Sequence, residues 1–540
     1  MDSRLDKLSR SFLDRKANFL NSMGIGFHNQ IPQVYECGKN TEEGLPEKVL
    51  QFGEGNFLRA FIDTFIDRLN EKGHFNGGIV IVQPIAQGMA DNINAQQGCY
   101  TVVLRGLIDG TPVASKRVVT SVSRAINPYT DYATYMGNMR NPNLRYIVSN
   151  TTEAGIAYVE TDKLCDTPPA SFPGKVTALL YERYKLFEGD PAKGFIFLPC
   201  ELIDNSGDNL KEIVLRHAAN WQLPQDFIDW VHDANYFANI LVDRIVTGYP
   251  RDEIEAFEAE LGYKDDLLVT GEIFHFLAIE APEAALKEIA ADMPFDKAGL
   301  NVVLSSDITP YKLRKVRILN GSHTMSVLAA FLVGKDTVGE MMKDPLFVQY
   351  LHKGIYDEII PTLDLSEEDL KSFAASVFDR YANPHIKHYL LSISLNSVSK
   401  FKARVLPTIF DYHKKTGKLP EVLTFGFAAL LAFYKGVEIR DGALIGRRGA
   451  DTPEEYKIID SPEILEFFQS LWQKVENLLS PSEDEIVAIV KEVCAQTDFW
   501  GTDLNQLPGF AEKVSEYMLV AHTPVFRGVK NAIEGIVGGS

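Results

Sequence analysis

The chain reads as an α/β domain followed by a mainly α-helical domain, and three features of the sequence point there. Short β-rich runs alternate with longer helical stretches through the first part: VLQF at 49–52, GIVIVQ at 78–83, YTVVLRG at 100–106, RYIVSN at 145–150 and GFIFLP at 194–199. That alternation calls for a parallel or mixed sheet with helices packed on it, and runs apolar at successive positions suit strands covered on both faces. Beyond about residue 205 helical periodicity takes over, as in 208–221, 281–291 and 313–332, with few strand candidates between. Pro345, Pro361, Pro384, Pro407 and Pro420 then cut the C-terminal half into helices of ordinary length.

In chain order, residues 1–45 are polar and irregular and read as an N-terminal extension; 46–298 read as the α/β domain and 299–540 as the helical one. No period repeats along the chain, which excludes a solenoid. The first strand runs straight into Gly53-Glu54-Gly55-Asn56-Phe57-Leu58-Arg59-Ala60 and then the helical pattern FIDTFIDRL. Strand, glycine turn and helix in this order suit a Rossmann-like dinucleotide site. The first glycine allows the tight turn, and the second lets the backbone approach a pyrophosphate at the positive end of the helix. The third fingerprint position holds Leu58, and a turn of purely structural use would read the same. An acid for the adenosine ribose is expected at the end of the second strand, where Gln83 stands. No Arg or Lys lies close by to hold a 2′-phosphate, which leans the choice towards NAD. Ser149-Asn150-Thr151-Thr152-Glu153-Ala154-Gly155 follows another strand at the carboxyl edge of the sheet, where it either lines the cofactor crevice or caps a helix.

Composition narrows the function classes. With 45% apolar and 24% charged residues in a chain of 540, fibrous and low-complexity readings fall away. A net charge of −19 with no segregated basic patch argues against nucleic acid as a partner. The apolar stretches near 325–333 and 425–434 are about half the ~20 residues a bilayer span needs, so no membrane role is expected. Five scattered cysteines, Cys37, Cys99, Cys165, Cys200 and Cys494, form no C-x-x-C pair, and the N-terminus lacks the apolar core of a signal peptide. A reduced, cytoplasmic protein fits these features. The oligomeric state is left open.

The richest stretch is Asp307-Ile-Thr-Pro-Tyr-Lys-Leu-Arg-Lys315-Val-Arg-Ile-Leu-Asn320-Gly-Ser-His323. On an α-helix starting at Leu313, at about 100° per residue, Lys315, Asn320 and His323 fall at about 0°, 140° and 80°, on one side. An amine, an amide and an imidazole can then converge on one small ligand, and an otherwise apolar helix gains nothing by burying them without partners. The alternative is a solvated Lys315, with Asn320 and His323 bonded to neighbouring backbone.

The spacing K-x4-N-x2-H after D-x-T-P-Y resembles the signature of the polyol-specific long-chain dehydrogenases, the mannitol dehydrogenase family, and the likeness spans roughly residues 46–410. Gly53-x-Gly55-x-Phe57-x-Arg59-Ala60 is similar to that family's nucleotide turn, and Thr152-Glu153-x-Gly155 to its second cofactor loop. Val242-Asp243-Arg244-Ile245 and Glu272-x-Phe274 are similar to two further blocks. The resemblance implies an NAD-dependent, metal-independent oxidoreductase acting on CH–OH groups. It places Gly53, Gly55, Asn56, Phe57, Arg59, Thr152 and Glu153 at the cofactor and Asp243 at the substrate. Lys315 becomes the general acid/base, Asn320 a donor to the substrate oxygen and His323 a positioning group. The residue types agree with reduction of a ketone, in which an amide steadies the charge gathering on oxygen and an ammonium protonates it.

Two departures bear on the substrate. Polyol-oxidising relatives carry a second asparagine just after the position of Cys200, where this chain reads Glu201-Leu202-Ile203-Asp204-Asn205, leaving Asn205 as a weak substitute. They also carry an arginine where this chain has Ser392. Lys400 and Arg404 remain as cations able to hold a sugar-acid carboxylate, or else as helix-surface charges. The wording sits nearest the members acting on sugar acids, which implies interconversion of D-tagaturonate and D-altronate in hexuronate (galacturonate) catabolism. D-Fructuronate reduction, mannitol-type polyol oxidation and a non-catalytic NAD-binding sensor are the alternatives.

Overall fold

The apolar runs become strands. In chain order they begin β1 (Glu47–Phe52), β2 (Gly78–Val82), β3 (Tyr100–Ile108), β4 (Thr111–Val119), β5 (Val122–Ile126), β6 (Tyr146–Ser149), β7 (Ile196–Pro199) and β8 (Tyr236–Phe237). Six of them form one sheet in the order β5-β2-β1-β6-β7-β8, with every neighbouring pair parallel. The chain winds outward from β1 to one edge and, from β6, to the other. A crevice therefore opens at the carboxyl ends of β1 and β6. Both faces are apolar by the two-residue alternation of strands: Val49, Ile79, Ile81 and Val148 enter one core cluster, and Leu50, Val80, Val82 and Ile147 the other.

The computed structural model describes residues 5–28, 44–152, 154–449, 454–475, 481–521 and 525–539. It divides into one unit of Met1–Gly106 with Pro112–Ile308 and a second of Leu107–Thr111 with Thr309–Ser540. The first unit continues with β9 (Asn239–Asp243), β10 (Val246–Gly248), β11 (Val269–Glu272), β12 (Phe276–Glu280) and β13 (Val302–Ser305). These build two further sheets, β10-β11-β3-β4 and β13-β12-β9. The expectation of few strands beyond residue 205 is thus corrected, since strands of two to five residues offer too few alternating positions to stand out against helical periodicity. β13 pairs in parallel with β12, which carries the first unit to Ile308, past the expected end at 298.

Residues 5–28 are also more than an extension. A helix spans Arg10–Ser22, with the Ser9 side chain accepting the Phe12 N–H as its N-cap. Its apolar side (Phe12, Leu13 and Leu20), with Leu8 just before it, is buried in a cluster with Val103, Phe257 and Tyr263. Arg10 donates to the carbonyl oxygens of Gln97 and Val122 at 2.9 and 2.6 Å. Phe12 is 1% exposed, and its ring lies 5.2 Å from that of Tyr263. Phe12→Ala should therefore cost about 3–5 kcal/mol of stability, read as a lowered midpoint in a denaturant titration; a change under ~1 kcal/mol would mean that the helix does not hold the unit together.

The second unit is mainly helical, with one antiparallel sheet of β14 (Gly436–Arg440), β15 (Ala443–Arg448) and β16 (Glu454–Ile458). At its centre the helix Glu421–Phe433 buries Val422 to Phe433 on all sides, as a helix apolar all round must. Its first turn is held by the buried Glu358, whose carboxylate accepts the N–H groups of Val422 and Leu423 at 2.9 and 3.0 Å; burial raises this acid to about 7. A Cβ on Gly426 would stand 3.1 Å from the Met325 Cα, so a glycine there lets the helix Ser322–Leu332 pass close by. Among the described residues no helix is long and apolar enough to cross a membrane.

Candidate active site

At the end of β1, Gly53 turns the chain with φ 122°, in the region that favours glycine. A Cβ there would stand 2.9 Å from the Asn150 carbonyl oxygen at the end of β6, so the glycine lets the two central strands meet. The Asn150 N–H ties its loop to β1 by donating to the Phe52 oxygen, and the Gly53 N–H ties the turn to β2 by donating to the Val82 oxygen, each at 3.0 Å. Gly55 and Asn56 are exposed and Phe57 half-buried at the start of the helix Asn56–Ala60. This open backbone suits a pyrophosphate. Leu58 is buried in the core beneath the turn and fills the contact that a third glycine would keep close.

Arg59 departs from its expected place at the cofactor. It is 1% exposed; its Nε donates to the Glu54 carbonyl oxygen at 3.0 Å, one terminal nitrogen to Leu267 O and the other to Asn56 Oδ1 at 2.8 Å. It braces the turn from behind. Gln83, just after β2, is likewise spent on its own loop: Nε2 donates to the oxygens of Ile85 and Ala86 at 2.8 and 3.0 Å, and Oε1 accepts the Ala90 N–H at 3.2 Å. Across the crevice Thr152 sits at φ 72°. The preceding Thr151 is fixed by the buried Glu201, whose Oε1 accepts its N–H at 2.9 Å and its hydroxyl at 3.0 Å, while Oε2 accepts the Ser149 hydroxyl at 3.0 Å. The residue following Cys200 thus serves as the anchor of the second loop, a role that nothing in the sequence signals. Glu153 lies outside the described residues.

The two further blocks lock together. Arg244 donates to the oxygens of Phe274, Ala60 and Ile273, and burial lowers its guanidinium to about 9. In return Glu272 accepts the Ile245 N–H at 2.6 Å. Asp243, 5% exposed, ends β9 beside this lock. Asn205 is exposed and left-handed (φ 51°) at the start of the helix Ser206–Asn220.

In the second unit the segment from Thr309 is continuous but is no plain α-helix: Thr309–Arg314 is α, Lys315–Gly321 is π, and Ser322–Leu332 is α again. This corrects the expected placement. A π turn joins residue i to i+5, so Asn320 stacks one turn along from Lys315 instead of lying ~140° around the axis. Both are half-buried. A Cβ on Gly321 would stand 3.2 Å from the Arg404 oxygen, which seats the helix Ser397–Arg404 against the π turn. The arginines flanking Lys315 have carboxylates of their own: Arg314 reaches both oxygens of Asp369 at 2.7 Å, and Arg317 pairs with Asp411 at 2.7 Å.

His323 is the centre of a group the sequence does not announce. Its ring stacks on Tyr381 with centroids 4.2 Å apart and meets His388 edge-on at 5.3 Å. Tyr381 is held in turn by its hydroxyl, which donates to Leu319 O at 2.7 Å and shares a 2.7 Å bond with the Ser322 hydroxyl. Nε2 of His323 is buried and has no hydrogen-bond partner among the described residues. Burial, followed by the nearby His388, Arg380, Arg404 and Lys400, holds this histidine well below its ordinary pKa, so the imidazole is neutral at physiological pH. Lys400 Nζ donates to Ile393 O at 2.8 Å, and burial together with Arg404 lowers its pKa. Lys400 and Arg404 thus lie close enough to His323 for their charges to act on it. Arg380 and His388 join them from the end of the helix Glu367–Tyr381 and the loop beyond, which carry no motif. Ser392 lines a cleft of about 600 Å³ with Tyr389, Leu395 and Tyr456.

Residues 47–292 match the Mannitol dehydrogenase Rossmann domain and residues 307–519 the Mannitol dehydrogenase C-terminal domain. The chain is 45% identical over 489 residues to an altronate oxidoreductase of Yersinia enterocolitica, covering 90% of this chain and 96% of that protein. To an altronate oxidoreductase of Escherichia coli O7:K1 it is 47% identical over 471 residues, covering 87% and 93%. In fold it is similar to Pseudomonas fluorescens mannitol 2-dehydrogenase, solved as a ternary complex with NAD and D-mannitol (TM-score 0.62, 21% identity, 99% of this chain and 100% of that one). It is also similar to a D-sorbitol dehydrogenase (TM-score 0.73, 19% identity, 95% and 99%).

Proposed function

The chain belongs to the mannitol dehydrogenase family, and from that premise we propose that it interconverts D-altronate and D-tagaturonate with NAD(H). The observation that carries the substrate class is the gathering of Lys400, Arg404 and Arg380 around the neutral His323. Cations near enough to weigh on one imidazole suit the carboxylate of a sugar acid better than a neutral polyol. The high identity to altronate oxidoreductases over most of both chains supports the same substrate.

The cofactor reading rests on the first unit, whose strand order, open Gly55–Asn56 backbone and Gly53 close approach suit a dinucleotide. When bound, the nicotinamide supplies or accepts the hydride at the substrate carbon. The chain's own residues manage the oxygen. The Asn320 amide donates to it as charge gathers there, and Lys315 delivers the proton in reduction or removes the hydroxyl proton in oxidation. One π turn holds both groups, so they address a single atom without either helix bending. His323 positions the substrate through its buried ring, and Lys400 with Arg404 holds the carboxylate. Asp243 and Asn205 are further candidates for binding the sugar hydroxyls. Among the described residues Cys99, Cys165, Cys200 and Cys494 form no disulfide, and we place the reaction in the cytoplasm.

The test is altronate-dependent reduction of NAD by the purified protein, with mannonate and mannitol alongside. Altronate should be oxidised at least ~10-fold more efficiently than either, a margin of about 1.4 kcal/mol in transition-state binding. Faster oxidation of mannonate would overturn the assignment in favour of the fructuronate-forming reaction.

A further inference from the structure

In a doubly wound sheet the end of β2 is where the adenosine ribose is read: a carboxylate there accepts from its 2′-hydroxyl and repels a 2′-phosphate. Here that position is Gln83, with its amide consumed by the following loop. A carboxylate reaches the same spot from the glycine turn. Glu54 leaves the chain between Gly53 and Gly55, its backbone oxygen held by Arg59 Nε at 3.0 Å, and its Oε1 accepts the Met89 N–H at 3.3 Å. A Cβ on Gly88 would fall 2.1 Å from Glu54 Oε1 and 2.5 Å from Gln83 Cδ. Carboxylate and carboxamide therefore meet at one point, and Gly88 is the residue that leaves them room. Ile85, 62% exposed, belongs to this loop, and Tyr129 donates its hydroxyl to the loop's Pro84 O at 3.4 Å. Both leave apolar surface beside the spot, as an adenine ring requires.

We propose that Glu54 is the cofactor-specificity residue, taking the place of the acid missing from the end of β2, binding the 2′-hydroxyl of the NAD ribose and excluding a 2′-phosphate. The proposal rests on the dinucleotide reading of the glycine turn. Burial raises the Glu54 pKa, a sign that its charge is poorly hydrated and therefore weakly screened against a phosphate placed beside it. The guanidinium of Arg59 lies near enough to favour the charged form of Glu54, but its terminal nitrogens are spent on Leu267 O and Asn56 Oδ1, so those nitrogens are not free to donate to a phosphate.

Binding of NADH and NADPH to the intact protein, read by fluorescence of the reduced nicotinamide, tests this without turnover. The unmodified protein should bind NADH at least ~10-fold more tightly than NADPH, and Glu54→Gln should shift that ratio at least ~10-fold towards NADPH. An unchanged ratio in a Glu54→Gln protein that still binds NADH overturns the proposal. Should Glu54→Gln not fold, Glu54→Asp, which draws the charge back by one methylene, must shift the ratio in the same direction by a smaller factor, and an unchanged ratio there is equally decisive. If the unmodified protein binds neither nucleotide, the dinucleotide reading itself falls, and the proposal with it.

Discussion

Lys315→Ala is expected to lower kcat by about 10²–10⁴-fold, the span by which general acid/base groups contribute, while the Kd for NADH stays within about threefold of the unmodified protein. The reason lies in the π turn Lys315–Gly321, which sets the amine one turn from the Asn320 amide and belongs to the unit that lacks the glycine turn. Loss of the amine removes the proton carrier and leaves the nucleotide's strand-turn-helix intact. Stopped-flow measurement of the hydride step, paired with an NADH titration, separates the two effects. Near-normal turnover in a folded Lys315→Ala protein would take the proton-transfer role away from this residue.

The second large effect concerns the carboxylate. Lys400→Met removes an ammonium that bonds Ile393 O and whose hold on its proton is weakened by burial and by the nearby Arg404. Two cations so placed are favourable only when an anion joins them. The variant should raise KM for tagaturonate by about 10–100-fold, in line with ~1.5–3 kcal/mol for a charge-assisted hydrogen bond, while altering KM for a neutral ketose such as fructose less than about threefold. Equal losses for the two substrates would show Lys400 acting on hydroxyls or on the fold, and would pass the carboxylate to Arg404 or Arg380.

Some of this was legible in the sequence because local chemistry dictates it. The Gly53-x-Gly55 turn follows from a strand, two glycines and an amphipathic helix in sequence, and the central strands from their unbroken apolar runs. The π turn was not legible: Lys315-Val-Arg-Ile-Leu-Asn320 contains no breaker before Gly321 and scans as α-helix, yet the inserted residue moves Asn320 from far around the axis to alongside Lys315. Arg380 and His388 escaped for a different reason, since they reach His323 only through the packing of the helix Glu367–Tyr381 and its loop. The same holds for Glu201, whose bonds to Ser149 and Thr151 join residues about fifty positions apart. Arg59, whose place in the motif suggests a ligand, proved to be a brace, because a motif fixes the position of a residue and leaves the direction of its side chain to the packing around it.

A helical unit that selects for the carboxylate makes this chain a reductase of keto sugar acids in preference to neutral ketoses. The most direct measurement compares kcat/KM for tagaturonate and fructose with NADH on the unmodified protein. A preference for tagaturonate of at least ~100-fold is expected, about 2.7 kcal/mol of discrimination, which paired cations in a partly dry site provide. Equal efficiency with fructose would contradict it and return the chain to the neutral polyols.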